Sequence, residues 1–384
     1  MATPAGSPTH LPHREGPVCP RRPDEYRDDM NDEMDVERYA CHIAQGDEGY
    51  QPLFQAIRIV QDKVYAAYLK FDKEAILNQK IYQAVSIFAV FFGAMSVFFA
   101  VTEVMRLRLP WDLFDAGDGE LVTASLTIAF ILIGLIGRFK EKWILARFKA
   151  ESLRLVKFRR LTDPSMWCEP SDLDAAAADL AEEVEEIAGQ NYDEAKEWAA
   201  KGVHPRSAAP PCSDRCPEAL HELVDYYIPK RLDVQIRYLE RHSDKAEGWG
   251  RRTAIIVQLL FWASFAFVLG HLAASHFGTE TQPSVDEMMN RAKHSPGLDD
   301  KLALAALILP IAAAALRTYR AAHEYERTSL RHRATLESLH ALSRKLRETK
   351  NLQEKFELIG FCELILEADC REFMRLVSEA EWYG

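Results

Sequence analysis

Four apolar blocks interrupt an otherwise densely charged chain, and their lengths set the first expectation. Residues 81–102, IYQAVSIFAVFFGAMSVFFAVT, run 22 positions without a charge; about 20 helical residues cross a bilayer core of ~30 Å. Residues 121–137, LVTASLTIAFILIGLIG, give 17 uncharged positions, and Arg138 and Lys140 can snorkel from the end to extend their reach. Residues 253–276 carry only Gln258 and His271 as strongly polar members before their end. Residues 302–316, LALAALILPIAAAAL, are 15 long, Ala-rich and contain Pro310, whose missing N–H strands a carbonyl that a neighbouring helix can satisfy. The pattern predicts an all-α integral membrane protein with four transmembrane helices. About 18 residues separate the first two blocks and 25 the last two, while more than a hundred separate the pairs. The spans therefore read as two hairpins.

The polar segments follow the same division. Residues 1–45, rich in Pro, Arg, Asp and Glu, read as a disordered tail with no secretion signal. The first hairpin and its basic helix occupy residues 46–161, and the second occupies 220–345, each half running polar helix, span, loop, span, basic helix. A Ser-Leu-Arg recurs in the two basic helices, at Ser152–Arg154 and Ser329–Arg331. Between them, residues 162–219 hold an Ala/Glu-rich helix over Asp172–Ala200 and a Pro-rich linker over Lys201–Pro217. The acidic helix reads as a solvated one; a sharper alternative lays it against the basic Arg138–Arg160 helix. In residues 346–384 apolar positions recur at helical spacing (Leu352, Phe356, Ile359, Leu366, Phe373, Val377), predicting one or two amphipathic helices. These pack on extensions of the spans or on another subunit.

Charge adds orientation. Arg138–Arg160 holds nine Lys/Arg and two acidic residues, Arg251 and Arg252 precede the third block, and the stretch after the fourth is again basic, whereas Trp111–Glu120 is acidic. Positive charge gathers on the cytoplasmic side, which places both termini and the middle segment in the cytoplasm of a multi-pass inner-membrane protein. The net charge of −11 argues against nucleic acid as a partner. The lipid bilayer is the first partner the sequence implies. Seven cysteines form no evenly spaced framework, as a reducing compartment would allow.

No catalytic, cofactor or metal signature emerges: there is no P-loop, GxSxG, HExxH or GxGxxG opening a helix, so an enzyme is not expected. His204, Cys212, Cys216 and His221 offer a zinc-like ligand mix, but their irregular spacing in a Pro-rich loop reads as ordinary loop chemistry. Inside the spans, Ser86, Ala89, Gly93, Ser96 and Ala100 put small residues on one face of the first, and Thr123, Thr127 and Gly134 on one face of the second. Such faces permit close helix packing, either within the hairpin or between subunits. Ser264 and His271 share a face of the third span, as a polar stripe along a water path or as a hydrogen-bonding edge near the interface. Pro310 completes the set of packing or pore candidates. The basic juxtamembrane residues set topology and touch anionic lipid; no residue pattern among them selects a nucleotide site.

Several stretches taken together resemble a known family. They are AESLR followed by FRRL and a Trp; VDYYIPKRLDVQIRYLERHSDKAEGWGRR; ALRTYRAAHEYERTSLRHRATLESL; and the ending FCELILEADCREFMRLVSEAEWYG. They are similar to the bacterial SLATT-type membrane proteins (SMODS and SLOG-associating transmembrane effectors), in the four-span variety found joined or adjacent to a SLOG nucleotide-sensing domain. The likeness covers about Gln51 to the end. It implies a bacterial phage-defence effector that forms a homo-oligomer and perturbs the membrane, as a pore. The polar stretch before Gln51 is too short for a SLOG domain, so the expected sensor is a separate cytoplasmic nucleotide-sensing protein. A membrane-anchored scaffold that recruits a cytoplasmic partner is the competing expectation. Ion transport is weaker, because the spans hold no central carboxylate.

Overall fold

A computed structural model describes residues 19–23, 25–104, 116–163, 173–202, 217–277, 298–323 and 325–379. Among these residues the secondary structure is all helical. In chain order the helices are α1 (Glu33–Ala44), α2 (Gln51–Val104), α3 (Ala116–Gly137), α4 (Phe139–Leu161), α5 (Leu173–Gly189), α6 (Tyr192–Ala200), α7 (Pro217–Tyr227), α8 (Asp233–Phe277), α9 (Leu298–His323), α10 (Tyr325–Glu348) and α11 (Leu352–Glu379). Two of them change character along their length. The first part of α2 buries Leu53, Ile57, Val60, Val64, Tyr68, Phe71 and Ala75, the spacing of an amphipathic helix on a core. Beyond residue 80 the same helix is apolar on every side. α8 does likewise, burying Ile236 and Leu239 before turning outward with Leu259, Trp262 and Phe265.

Three helices, α2, α3 and α8, carry stretches long and apolar enough to cross a membrane, and within those stretches only 11%, 6% and 11% of residues are buried. A soluble core would hide such residues; here Leu121, Ile136 and Trp262 are 68%, 80% and 70% exposed. Their apolar faces thus match a lipid solvent and not a protein interior. α2 packs against α3 and α4, and α8 against α9 and α10. The fourth apolar block lies in α9, seated on α8 and also touching α2. The α3–α4 junction falls at Arg138, whose φ of 48° is left-handed; the helix breaks there, and the Arg138 side chain folds onto Glu141.

At one end of these long helices sits a polar body built from α1, the first part of α2, α4–α7 and α11. Its core includes Tyr39, Leu53, Ile57, Ile144, Phe148, Phe158, Leu220, Tyr226, Tyr227, Phe356 and Ile359. Here the expected disordered tail needs correcting over its described part, residues 19–23 and 25–45; residues 1–18 and 24 lie outside the described residues. Residues 25–44 are part of this core: Met30 and Tyr39 are fully enclosed, and Glu222 of α7 takes Arg22, Arg38 and the Tyr39 hydroxyl together. Asp and Arg content that looks like disorder is instead consumed in ion pairs. A disulfide joins Cys19 to Cys41 and ties the start of this segment to α1.

The acidic middle segment resolves into α5 and α6, separated at Asn191, whose side chain caps α6 while Glu194 reaches back to the Asn191 N–H. α5 is not simply solvated. It buries Ala176, Leu180, Val184 and Ile187 against α2 and α4, and Glu183 pairs with both Arg159 and Arg160. The sharper alternative describes it better. The carboxy-terminal pattern forms one helix, α11, which packs on α4, α6 and α10. Phe356, Ile359 and Leu366 are buried, joined by Cys362, Cys370 and Met374.

Candidate functional site

The small-residue stripes of the first two blocks face each other. Cβ atoms built on the glycines of α3 and α2 meet the opposite helix in antiparallel register: Gly134 meets Val85 at 3.3 Å, Gly93 meets Thr127 at 3.6 Å, and Gly119 meets Phe99 at 2.9 Å. Phe130 stacks on Phe88 and Phe92 with ring centroids 5.1 and 5.6 Å apart. The hydroxyls on this seam serve their own helices: Ser86 donates to the Tyr82 carbonyl, Thr123 to Gly119 and Thr127 to Thr123. Ala89 is buried, while Ser96 and Ala100 are half-buried. Of the two stripes the structure brings Gly93 and Thr127 together within one chain, and sets Gly134 against Val85 of the first block.

The second pair of helices has a specific polar lock. In an α-helix the N–H of residue 310 would bond the carbonyl of Ala306, and Pro310 has none. The Ser264 hydroxyl of α8 donates to that carbonyl at 2.8 Å. Ser264 and Pro310, singled out separately in the sequence, are two halves of one device. His271 lies in α8, and its side chain is outside the described residues. So are His204, Cys212 and Cys216; His221 is exposed on α7, and among the described residues no group of metal-ligating side chains gathers.

Two features of the polar body were not visible in the sequence. The first is a buried ionic cluster. Asp29 pairs with Arg231 at 2.9 Å and Arg154 at 3.0 Å and accepts from Gln235. Asp32 lies 2.7 Å from Lys157 and 3.2 Å from Lys230 and accepts from the Tyr226 hydroxyl. Asp35 takes Lys230 and the Tyr26 hydroxyl. Burial opposes ionisation of Asp29, but the Arg154 and Arg231 guanidiniums override it and lower its carboxyl to about 2. Arg231 also reaches Glu363 of α11. Three acids spaced i, i+3, i+6 on the amino-terminal segment thereby clasp α4, the turn before α8, and α8 itself.

The second feature is a cavity of about 1300 Å³ where the polar body meets the apolar helices. Its wall draws on α2, α4, α8, α9, α10 and α11, and it is strongly basic. Lys80, Lys140 and Arg147 line it from the first half of the chain, and Arg231, Lys245, Arg317, Arg327 and Arg331 from the second, against two carboxylates among the described residues, Glu151 and Asp369. Those two are already engaged: Glu151 by Arg147 and Arg154, Asp369 by Arg331 at 3.3 Å. Aromatic rings share the wall. Trp143 stacks on Tyr82 with centroids 5.8 Å apart, and Tyr238, Trp249 and Phe373 add to it. The two Ser-Leu-Arg repeats frame this region, since Ser152 and Ser329 are both buried and each Arg holds an aspartate, Asp29 or Asp369.

Burial, Arg331, His242 and Arg147 together lower the His332 imidazole to about 3, which makes it neutral near pH 7. Sequence reasoning assigned the basic residues to topology and lipid, and gave no means of seeing that two halves of the chain turn them toward one space. Comparison with protein-family models, with curated proteins and with solved structures yields no match to this chain.

Proposed function

We propose that the chain is a multi-pass inner-membrane effector of bacteria, with four spans in two repeated hairpins and both termini cytoplasmic, which assembles into a homo-oligomer and permeabilises or depolarises the membrane. The supporting observation is continuity. α2 runs 54 residues without a break from the polar body into its apolar stretch, about 80 Å of helix, and α8 runs 45. A helix shared by both regions carries any tilt imposed on the polar body into the bilayer. The correspondence between α2 with α3 and α4, and α8 with α9 and α10, supports the repeat. The resemblance to SLATT-type proteins supplies the phage-defence setting, with a separate nucleotide-sensing protein as the trigger.

Within one chain the seam hydroxyls are satisfied and the outer faces are apolar, so a water path requires several copies. Overproduction in bacteria with a membrane-potential dye tests this reading. Loss of potential and growth arrest are expected; a full potential at high protein level would refute it. The scaffold reading draws on the exposed carboxylates of α5 (Asp179, Glu182, Glu185, Glu186), and it predicts capture of a soluble partner with the potential intact.

A further inference from the structure

Among the described residues the cavity wall carries more positive charge than its carboxylates neutralise, in a chain whose net charge is −11. Arg147, Arg231 and Arg331 are spent on internal partners. Lys80, Lys245 and Arg317 line the same space with no ion-pair partner among the described residues. They come from α2, α8 and α9, three helices that converge only through folding. Concentrated like charge on a concave wall attracts and focuses a counter-ion.

The His332 ring belongs to the same wall. Arg331 donates to His332 Nε2 at 3.0 Å, so in the neutral ring the proton sits on Nδ1. That nitrogen is buried and has no hydrogen-bond partner, and His332 lines the cavity. Among the described residues it is a donor without an acceptor. Towards the apolar helices the wall changes to Ile87, Val90 and Ile131. We propose that this cavity binds a phosphate-bearing anion, held by Lys80, Lys245 and Arg317, with the His332 ring on the same wall. The apolar wall favours the headgroup of an anionic phospholipid over a free nucleotide. The volume exceeds the roughly 300–1,000 Å³ of ordinary small-ligand sites, leaving room for the upper part of the acyl chains. The site stands apart from the effector reading: binding can hold while permeabilisation fails, and the reverse.

The test uses the full chain in a neutral detergent, with thermal-shift titrations of short-chain phosphatidylglycerol, short-chain phosphatidylcholine and ATP. Phosphatidylglycerol is expected to bind in preference to phosphatidylcholine. Each of Lys245→Gln and Arg317→Gln should weaken it by about fivefold, while Lys73→Gln, on an exposed part of α2 away from the cavity, leaves it unchanged. Lys245→Arg with Arg317→Lys should restore affinity and separates charge from misfolding. If ATP binds instead and responds to the same variants, the phosphate site stands and its ligand is soluble. If neither anion exceeds phosphatidylcholine, or the double glutamine variant binds as wild type does, the proposal is overturned.

Discussion

Ser264→Ala isolates a single hydrogen bond whose purpose the structure makes explicit. The hydroxyl donates to the Ala306 carbonyl at 2.8 Å, the carbonyl that Pro310 leaves without its helical donor. Removing the hydroxyl leaves that oxygen unpaired between α8 and α9, where 7% of Ser264 is exposed. Interhelical side-chain hydrogen bonds in membrane proteins are worth about 0.6 kcal/mol on average and up to about 1.7, and an orphaned buried acceptor costs about 1–3 kcal/mol. A loss of about 1 kcal/mol is therefore expected. The decisive variant is Pro310→Ala, which returns an N–H to position 310 and lets α9 satisfy Ala306 itself. In that background Ser264→Ala should cost close to nothing, giving a coupling of about 1 kcal/mol in a double-mutant cycle. Unfolding of the detergent-solubilised protein by added denaturing detergent, followed by tryptophan fluorescence, supplies the four midpoints. Equal costs of Ser264→Ala in the two backgrounds would mean the serine merely fills space, and the account of the lock would be wrong.

The α2–α3 seam predicts a graded glycine series. Gly93→Ala should be close to neutral, because its Cβ finds ordinary contact with Thr127 at 3.6 Å, whereas Gly119→Ala drives into the Phe99 ring at 2.9 Å and should lose about 1–3 kcal/mol by the same denaturation measurement; the reverse order would refute the register. Asp32→Ala leaves Lys157 and Lys230 buried without their shared carboxylate, a loss of about 3–5 kcal/mol, visible as a lower Tm and as faster proteolysis within residues 25–44; unchanged cleavage would contradict the clasp. His332, lowered to about 3, resists protonation in the folded chain while the unfolded chain takes a proton near 6.5. Stability should therefore fall as pH drops below about 6.5, at up to about 1.4 kcal/mol per pH unit, and His332→Gln should flatten that slope in unfolding curves taken between pH 7 and 5. A slope identical in both proteins would remove His332 as its source.

What the sequence made legible follows one physical rule, that unpaired charge does not enter hydrocarbon. The runs 81–102 and 121–137 obey it so cleanly that two helices long and apolar enough to cross a membrane are readable from them, and Gly93 does meet Thr127. The amino-terminal segment illustrates the opposite case. Asp29, Asp32 and Asp35 raise polarity and lower the expectation of a core, yet each is almost wholly buried, because their partners Arg154, Lys157, Lys230 and Arg231 come from about 120 to 200 positions later in the chain. A local window sees the acids or the bases and never the pair. The same blindness hid the cavity. Lys80 and Arg317 each adjoin an apolar block and Lys245 lies two turns of helix before one, and each has a sufficient local explanation in topology. Only when α2, α8 and α9 come together do three separately sensible lysines and arginines become one unbalanced charge. Like charge gathered on one concave wall attracts a counter-ion, which makes the shared placement of these residues evidence about a ligand and not about orientation alone.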